Sequence, residues 1–199
     1  MLQPGQFYHI YNHANGHENL FLEERNYHFF LSKIKLYLLP VCNLYAYCLM
    51  PNHFHLLVSI KNEGEIVKLL ESSETFQKLT SEERFTHIEK KISKSFSNLC
   101  SSYTQALNKV YQRRGSLFMP NFKNTLVENE LAFCNMVYYI HSNPVHHGFV
   151  KNITDWKFSS FNSLISEKLT GLERNYVLDA FGGRVAFDNY HKQSVEIKS

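Results

Sequence analysis

Two apolar segments joined by a two-residue turn constrain the fold more than any other feature of the sequence. They are VCNLYAYCLM (41–50) and HFHLLVSI (53–60), and only Pro51 and Asn52 lie between them. Both segments have the length and the apolar character of buried strands, and so short a connection returns the second strand antiparallel to the first. We therefore expect an antiparallel strand pair here.

The stretches around this pair differ in the spacing of their apolar residues. QFYHIYNH (6–13) has the aromatic and β-branched composition of a strand, whereas apolar residues between 22 and 39 fall at helical spacing until Pro40. Residues 61–82 are polar and are predicted to form a loop or a small excursion. The longest helical pattern follows, with apolar residues stepping by three or four from position 85 to position 110.

The rest of the chain completes a recognisable order of elements. LFMPNFKNTLV (117–127) predicts a strand, and NELAFCNMVYYIHS (129–142) predicts a helix that Pro144 ends. The first six elements match a ferredoxin-like βαββαβ arrangement, an α+β fold with an antiparallel sheet and helices on one face. The next helix is expected to cover part of the other face. We predict one catalytic domain over 1–150 and a helical tail over 151–199, packed on the same domain through its aromatic residues.

Composition excludes several classes of protein. At 199 residues, with 44% hydrophobic and 15% aromatic residues, the chain can bury a core and is not disordered. No apolar run approaches 18 residues, so no membrane span is predicted, and the first ten residues do not resemble a secretory signal. The four cysteines form no C-x-x-C pair, which favours reduced thiols in a cytoplasmic protein. A net charge of +3 does not by itself indicate a nucleic-acid-binding protein.

Two histidines stand one residue apart in the second of the paired strands. Side chains alternate between the faces of a strand, so His53 and His55 project from the same face. Two neutral imidazoles placed in this way can bind one divalent metal ion, which can polarise a phosphoryl oxygen. The alternative is a pair of histidines whose hydrogen bonds are satisfied at the sheet face.

A second pair of candidate residues lies on the helix predicted over 129–142 and just beyond it. Tyr139 and Asn143 are four residues apart, hence on one helical face. A tyrosine can act as a covalent nucleophile, and an amide oxygen can complete a metal shell. Alternatively, Tyr138 and Tyr139 are core aromatics, and Asn143 with the following proline is only a helix stop.

Basic and aromatic residues interleave in YQRRGSLFMPNFKNTL, the mixture that follows a phosphate backbone and stacks on exposed bases. A charged turn between helix and strand would look similar. The residues predicted to contact nucleic acid are Asn52, Arg113, Arg114, Phe118 and Lys123.

Four blocks in order, CLMPNHFHLLV, RRGSLF, YIHSNPVHHGFV and WKFSSF, resemble the single-tyrosine HUH transposases. The likeness is closest to the branch of REP-associated tyrosine transposases and to similar insertion-sequence transposases that act on single-stranded DNA. The resemblance implies that His53, His55 and Asn143 hold Mg²⁺ or Mn²⁺. It further implies that Tyr139 attacks the scissile phosphate of hairpin or palindromic DNA and forms a 5′-phosphotyrosine link.

The resemblance leaves some points open. Tyr138 is the competing nucleophile, although its spacing to Asn143 is wrong. The branch favours a monomer acting in cis over a homodimer acting in trans. His13–Gly16 departs from an Arg-Gly that members often carry, and we expect this departure to leave the catalytic set untouched. The alternative function is a non-catalytic module that binds single-stranded nucleic acid, because a ferredoxin-like sheet can bind RNA or single strands without chemistry.

Overall fold

A computed structural model describes residues 2–192 as a four-stranded sheet with helices on both faces. The strands are β1 (Phe7–His13), β2 (Cys42–Met50), β3 (His53–Ile60) and β4 (Lys123–Val127). The helices are α1 (Glu24–Tyr37), α2 (Glu63–Leu70), α3 (Glu74–Gln77), α4 (Ser81–Val110), α5 (Glu130–His146), α6 (Phe161–Ile165), α7 (Arg174–Ala180) and α8 (Arg184–Lys192). All strand pairs are antiparallel, in the order β2-β3-β1-β4. The ferredoxin-like α+β fold predicted from the order of elements is thus confirmed.

The two faces of the sheet carry different helices. Helices α1 and α4 pack together on one face, where Phe30 of α1 lies 5.1 Å from Phe54 of β3 and 4.9 Å from Tyr103 of α4, centroid to centroid. Helix α5 packs against β2 and β3 on the other face. Because both faces are covered, all eight residues of β3 are buried. Alternation along β3 places Phe54 toward α1 and turns its two histidines toward α5.

A capping box begins the long helix α4. Thr80 caps it by accepting a hydrogen bond from the backbone of Glu83, and the Glu83 side chain binds the Thr80 backbone in return. Its buried positions include Ile92, Leu99 and Tyr103, whose spacings of seven and four residues keep them on one helical face. The Tyr103 hydroxyl donates to the carbonyl of Leu20 at 2.7 Å, so its one polar group is satisfied in the core.

The prediction of a loop over 61–82 is wrong in part, because α2 and α3 lie within this range. Asn62 caps α2, accepting from the Glu65 backbone while the Glu65 side chain binds the Asn62 backbone. Ile66 and Phe76 are fully buried and fasten the two helices to the rest of the protein. Because the segment is mostly polar, its composition does not predict that these two apolar residues are buried.

The strand predicted over 117–127 is shorter than expected, because β4 begins only at Lys123. Leu117 and Phe118 are buried in the core, and Pro120 has no N–H to donate to a ladder. Asn121 has φ of 59°, a left-handed conformation that interrupts an extended strand. Residues 117–122 of the predicted strand therefore form a core contact and a turn and are not part of β4.

Pro144 does not end its helix, contrary to prediction, but lies inside α5. A proline removes one backbone donor, the one that would reach the carbonyl four residues earlier. The helix continues to His146, and the backbone N–H of His147 bonds to the carbonyl of Asn143 at 3.0 Å. Gly148, with φ of 71°, supplies the left-handed conformation that ends it.

The tail beyond residue 150 is built from a 3-10 turn (Ile153–Asp155) and the short helices α6, α7 and α8. Its aromatic rings pack together as expected: Phe161 lies 5.6 Å from Phe187, which lies 5.0 Å from Phe181. Residues 193–199 of the predicted tail lie outside the described residues. Within 2–192, no helix is long and apolar enough to cross a membrane. The four cysteines carry free thiols, as predicted.

Candidate active site between the sheet and α5

The four predicted site residues converge on one cavity. This cavity, of about 440 Å³, lies between the sheet and α5 and is lined by His53, His55, Tyr139 and Asn143. Further side chains complete its wall: His9, Tyr11, His13, Thr125, Met136 and His147. Residues that are 84 to 90 positions apart in sequence are therefore neighbours in space.

Local structure explains the convergence. The two histidines stand on the same face of β3, with ring centroids 5.0 Å apart. Tyr139 and Asn143 stand one turn apart on α5, where the Asn143 amide donates to the Tyr139 carbonyl at 3.4 Å. With the amide nitrogen of Asn143 bound in this way, the amide oxygen points toward the sheet and lies 3.5 Å from Nε2 of His53.

The ring of His53 is oriented by its neighbour in the turn. Its Nδ1 lies 2.7 Å from Oδ1 of Asn52. An amide oxygen only accepts, so Nδ1 of His53 must carry the proton, and Nε2 keeps its lone pair on the side of Asn143. Asn52, which is predicted to contact nucleic acid, is exposed, and its side chain also orients a candidate metal ligand.

The ring of His55 is oriented from the neighbouring strand. Its Nδ1 lies 2.9 Å from Nε2 of His9, a residue for which no role is predicted from the sequence. The available signal was the alternation His9-x-Tyr11-x-His13, which puts three rings on one face of β1. Recognising the partner also required the register between β1 and β3, in which His9 lies opposite Leu57.

Burial keeps these imidazoles neutral. It lowers the pKa of His53 to about 4, with the nearby ring of His13 adding to the effect. Burial also lowers the pKa of His55 to about 2, with help from the adjacent His9. Since only the neutral ring offers a lone pair to a metal, both histidines have the charge state that ligation requires at neutral pH.

The two adjacent tyrosines of α5 point in different directions. Tyr139 is half-buried and faces the cavity, with its ring centroid 5.6 Å from that of His55. Tyr138 is buried against the tail, 5.8 Å from Tyr190 and 5.6 Å from His191. Of the two, only Tyr139 can reach a substrate in the cavity.

The donor atoms fit a divalent metal ion. Two ligands of one ion, each about 2.1 Å from it, lie about 3.0 Å apart at right angles and about 3.4 Å apart at a tetrahedral angle. The 3.5 Å between Nε2 of His53 and Oδ1 of Asn143 matches the tetrahedral spacing and is about 0.5 Å wider than the right-angle spacing of octahedral Mg²⁺. Within residues 2–192, no group of three or more His, Cys, Asp or Glu side chains has metal-binding geometry. The candidate ligands, two histidines and one asparagine, are not such a group, because an asparagine is one of the three.

The residues predicted to contact nucleic acid differ in their exposure to solvent. The prediction for Phe118 is wrong. This residue is only 4% exposed and its ring packs against the core, so it cannot stack on a base. Arg113 forms an ion pair with Glu18, and its side chain is only 16% exposed. Arg114 and Lys123 are exposed and remain candidates for phosphate contacts.

The departure at His13 touches the site, contrary to expectation. The ring of His13 stacks on that of His53, with centroids 4.7 Å apart and planes 20° from parallel. Because β1 runs beside β3, position 13 lies directly opposite position 53. The end of β1 therefore contributes part of the cavity wall.

A second histidine pair lies on the other side of α5 and fastens it to the tail. Nδ1 of His141 lies 2.9 Å from Nε2 of His191, and Nε2 of His141 lies 2.7 Å from the hydroxyl of Ser160. Nδ1 of His191 donates to the carbonyl of Phe187 at 2.8 Å, and the Ser160 oxygen accepts from the backbone of Tyr47. Every ring nitrogen is therefore used when both rings are neutral.

Comparisons with known proteins agree with this fold. The family model described as "Transposase IS200 like" matches residues 8–106, about half of the chain. The chain belongs to this family of transposases. The matched region includes both histidines of β3 but ends before α5, so it does not cover the candidate nucleophile.

Two relatives and one solved structure are similar to the chain. A putative REP-associated tyrosine transposase of Haemophilus influenzae is 23% identical over 117 residues, which are 59% of this chain and 57% of that protein. The REP-associated tyrosine transposase of Escherichia coli K12 is 35% identical over 54 residues, which are 27% of this chain and 33% of that protein. The chain thus spans between a third and three fifths of these relatives. A REP-associated tyrosine transposase solved with a REP hairpin has the same fold, with a TM-score of 0.55, 18% identity and 85% coverage of both chains.

Proposed function

We propose that this chain is a metal-dependent endonuclease and strand transferase that acts on single-stranded DNA through a covalent 5′-phosphotyrosine at Tyr139. The observation that carries the proposal is the convergence of Tyr139 with His53, His55 and Asn143 on one cavity. A tyrosine beside a cluster of neutral ring nitrogens and an amide oxygen combines a nucleophile with the ligands for a Lewis acid.

His53, His55 and Asn143 would hold Mg²⁺ or Mn²⁺, which when bound polarises the scissile phosphate. Tyr139 supplies the attacking oxygen: its bond to phosphorus forms as the bond from phosphorus to the 3′ oxygen breaks. The phenolic proton passes to solvent, and the departing strand leaves with a free 3′-hydroxyl. Attack of a 3′-hydroxyl on the phosphotyrosine reverses these bond changes and rejoins DNA.

The substrate proposed is hairpin or palindromic DNA with a single-stranded flank. The structural neighbour was solved with a REP hairpin, which supports this choice of partner. Arg114 and Lys123 are exposed and would contact the backbone. Lys123 lies close enough to the cavity for its charge to lower the pKa of His13, an effect second to burial.

The test is a denaturing-gel assay with hairpins taken from the genomic flanks of the gene. A 5′-phosphotyrosine link retains the DNA 3′ of the cut, so a label at the 3′ end should migrate with the protein. A label at the 5′ end should appear on a short free strand. Both products should require Mg²⁺ or Mn²⁺ and disappear with EDTA.

Adjacent tyrosines offer matched variants. Tyr139→Phe should abolish the covalent band and preserve DNA binding, whereas Tyr138→Phe should retain the band. A band that persists in Tyr139→Phe would contradict the assigned nucleophile. Binding without any covalent band, on a hairpin bound tightly by the wild type, would favour the non-catalytic nucleic-acid-binding module.

A further inference from the structure

The hydrogen bond between His9 and His55 has a consequence for metal binding. The two nitrogens are 2.9 Å apart, which requires one proton between them, since two N–H groups would clash and two lone pairs would repel. That proton sits either on Nδ1 of His55 or on Nε2 of His9. The two arrangements differ in what His55 offers to the cavity.

If Nδ1 of His55 carries the proton, its Nε2 has a free lone pair and can bind a metal ion. If Nε2 of His9 carries the proton, a neutral His55 must place its own proton on Nε2, and the ring cannot ligate. The tautomer of His9 therefore determines whether His55 is a ligand. Asn52 does not present this choice to His53, because an amide oxygen only accepts.

The sheet fixes the position of His9. Its backbone lies opposite Leu57 of β3 and Thr125 of β4, so it is a diagonal cross-strand neighbour of His55. The His9 side chain is 5% exposed, and its ring stacks on Tyr11 with centroids 5.0 Å apart. A ring held in this way has little freedom to leave the hydrogen bond.

We infer that His9 is a positioning residue that accepts the Nδ1 proton of His55 and thereby holds Nε2 of His55 free for the metal ion. This inference rests on the proposed function, because it concerns the same site. Residues that orient metal-bound histidines through the second ring nitrogen commonly affect metal affinity by one to two orders of magnitude.

The test measures Mn²⁺ affinity without DNA, from the signal of free Mn²⁺ in electron paramagnetic resonance. His9→Phe should weaken binding about 10- to 100-fold, whereas His9→Gln, whose amide oxygen can accept the same proton, should stay within about threefold of the wild type. His17→Phe is the matched control, since His17 is an exposed histidine that does not line the cavity. It should also stay within about threefold.

Nitrogen-15 NMR of the histidine rings adds a readout that does not depend on activity. With Mg²⁺ bound, His55 should carry its proton on Nδ1, and melting curves should show that every variant is folded. Wild-type affinity in His9→Phe, equal loss in His17→Phe, or a proton on Nε2 of His55 would overturn the positioning role. If the wild type itself bound no Mn²⁺, the metal site of the proposed function would fail, and the role of His9 would fail with it.

Discussion

The neutral pair of His141 and His191 should make the stability of the protein depend on pH between 7.5 and 5.5. Burial lowers the pKa of His191 to about 4 from its ordinary value of 6.5, and burial also lowers that of His141. The unfolded chain therefore binds a proton at a pH where the folded chain does not. The stabilisation is complete above pH 6.5 and is lost as the pH falls toward 4.

The size of the effect follows from the two pKa values of His191. Linkage gives a loss of folding free energy from this one residue of about 0.1 kcal/mol at pH 7.5 and about 1.4 kcal/mol at pH 5.5. The difference between the two pH values is thus about 1.3 kcal/mol. Three glutamates, at positions 23, 24 and 83, have their pKa values lowered from 4.5, so they titrate below this window.

Urea denaturation with EDTA present, followed by the fluorescence of Trp156, measures this difference. His191→Gln keeps an acceptor for His141 but cannot titrate, so its loss of stability between the two pH values should be smaller than that of the wild type by about 1.3 kcal/mol. His17→Gln, a matched change at an exposed position, should behave like the wild type. Equal pH dependence in His191→Gln and the wild type would contradict the lowered pKa of His191 in the folded protein.

Two substitutions test the buried polar contacts. Ser160→Ala removes the donor to His141 and the acceptor for the Tyr47 backbone, so we expect a loss of about 2–6 kcal/mol in urea denaturation, at about 1–3 kcal/mol for each unsatisfied group. A loss below about 0.5 kcal/mol, the usual size of a surface change, would contradict the network. Tyr103→Phe leaves the Leu20 carbonyl without its donor and should cost about 1–2 kcal/mol at unchanged m-value. An unaltered midpoint would show that this carbonyl finds another partner.

The sequence predicts much of the site because two periodicities determine which side chains share a face. Alternation along a strand pairs His53 with His55, and helical spacing pairs Tyr139 with Asn143. The order of elements then brings the strand and the helix to the same side of the sheet. Convergence of these four residues needed no detail of packing.

Other features depended on contacts between distant segments. That His9 bonds to His55 follows from the register of β1 against β3, which no local pattern specifies. Phe118 looked like a stacking residue because its neighbours are basic, but its ring fills space under α1 and α4. Pro144 removes one backbone bond of α5, but the helix continues past it to His146, and the carbonyl of Asn143 still accepts from the backbone N–H of His147.

The central claim is that Tyr139 becomes covalently linked to DNA. The most direct measurement is tandem mass spectrometry of the adduct, after nuclease trimming of the DNA and digestion with trypsin. Cleavage after Lys123 and Lys151 releases one peptide, 124–151, that contains both adjacent tyrosines. If Tyr139 is the nucleophile, we expect a nucleotide on Tyr139, formed only with metal present. A nucleotide on Tyr138, or on no residue of this peptide, would contradict it.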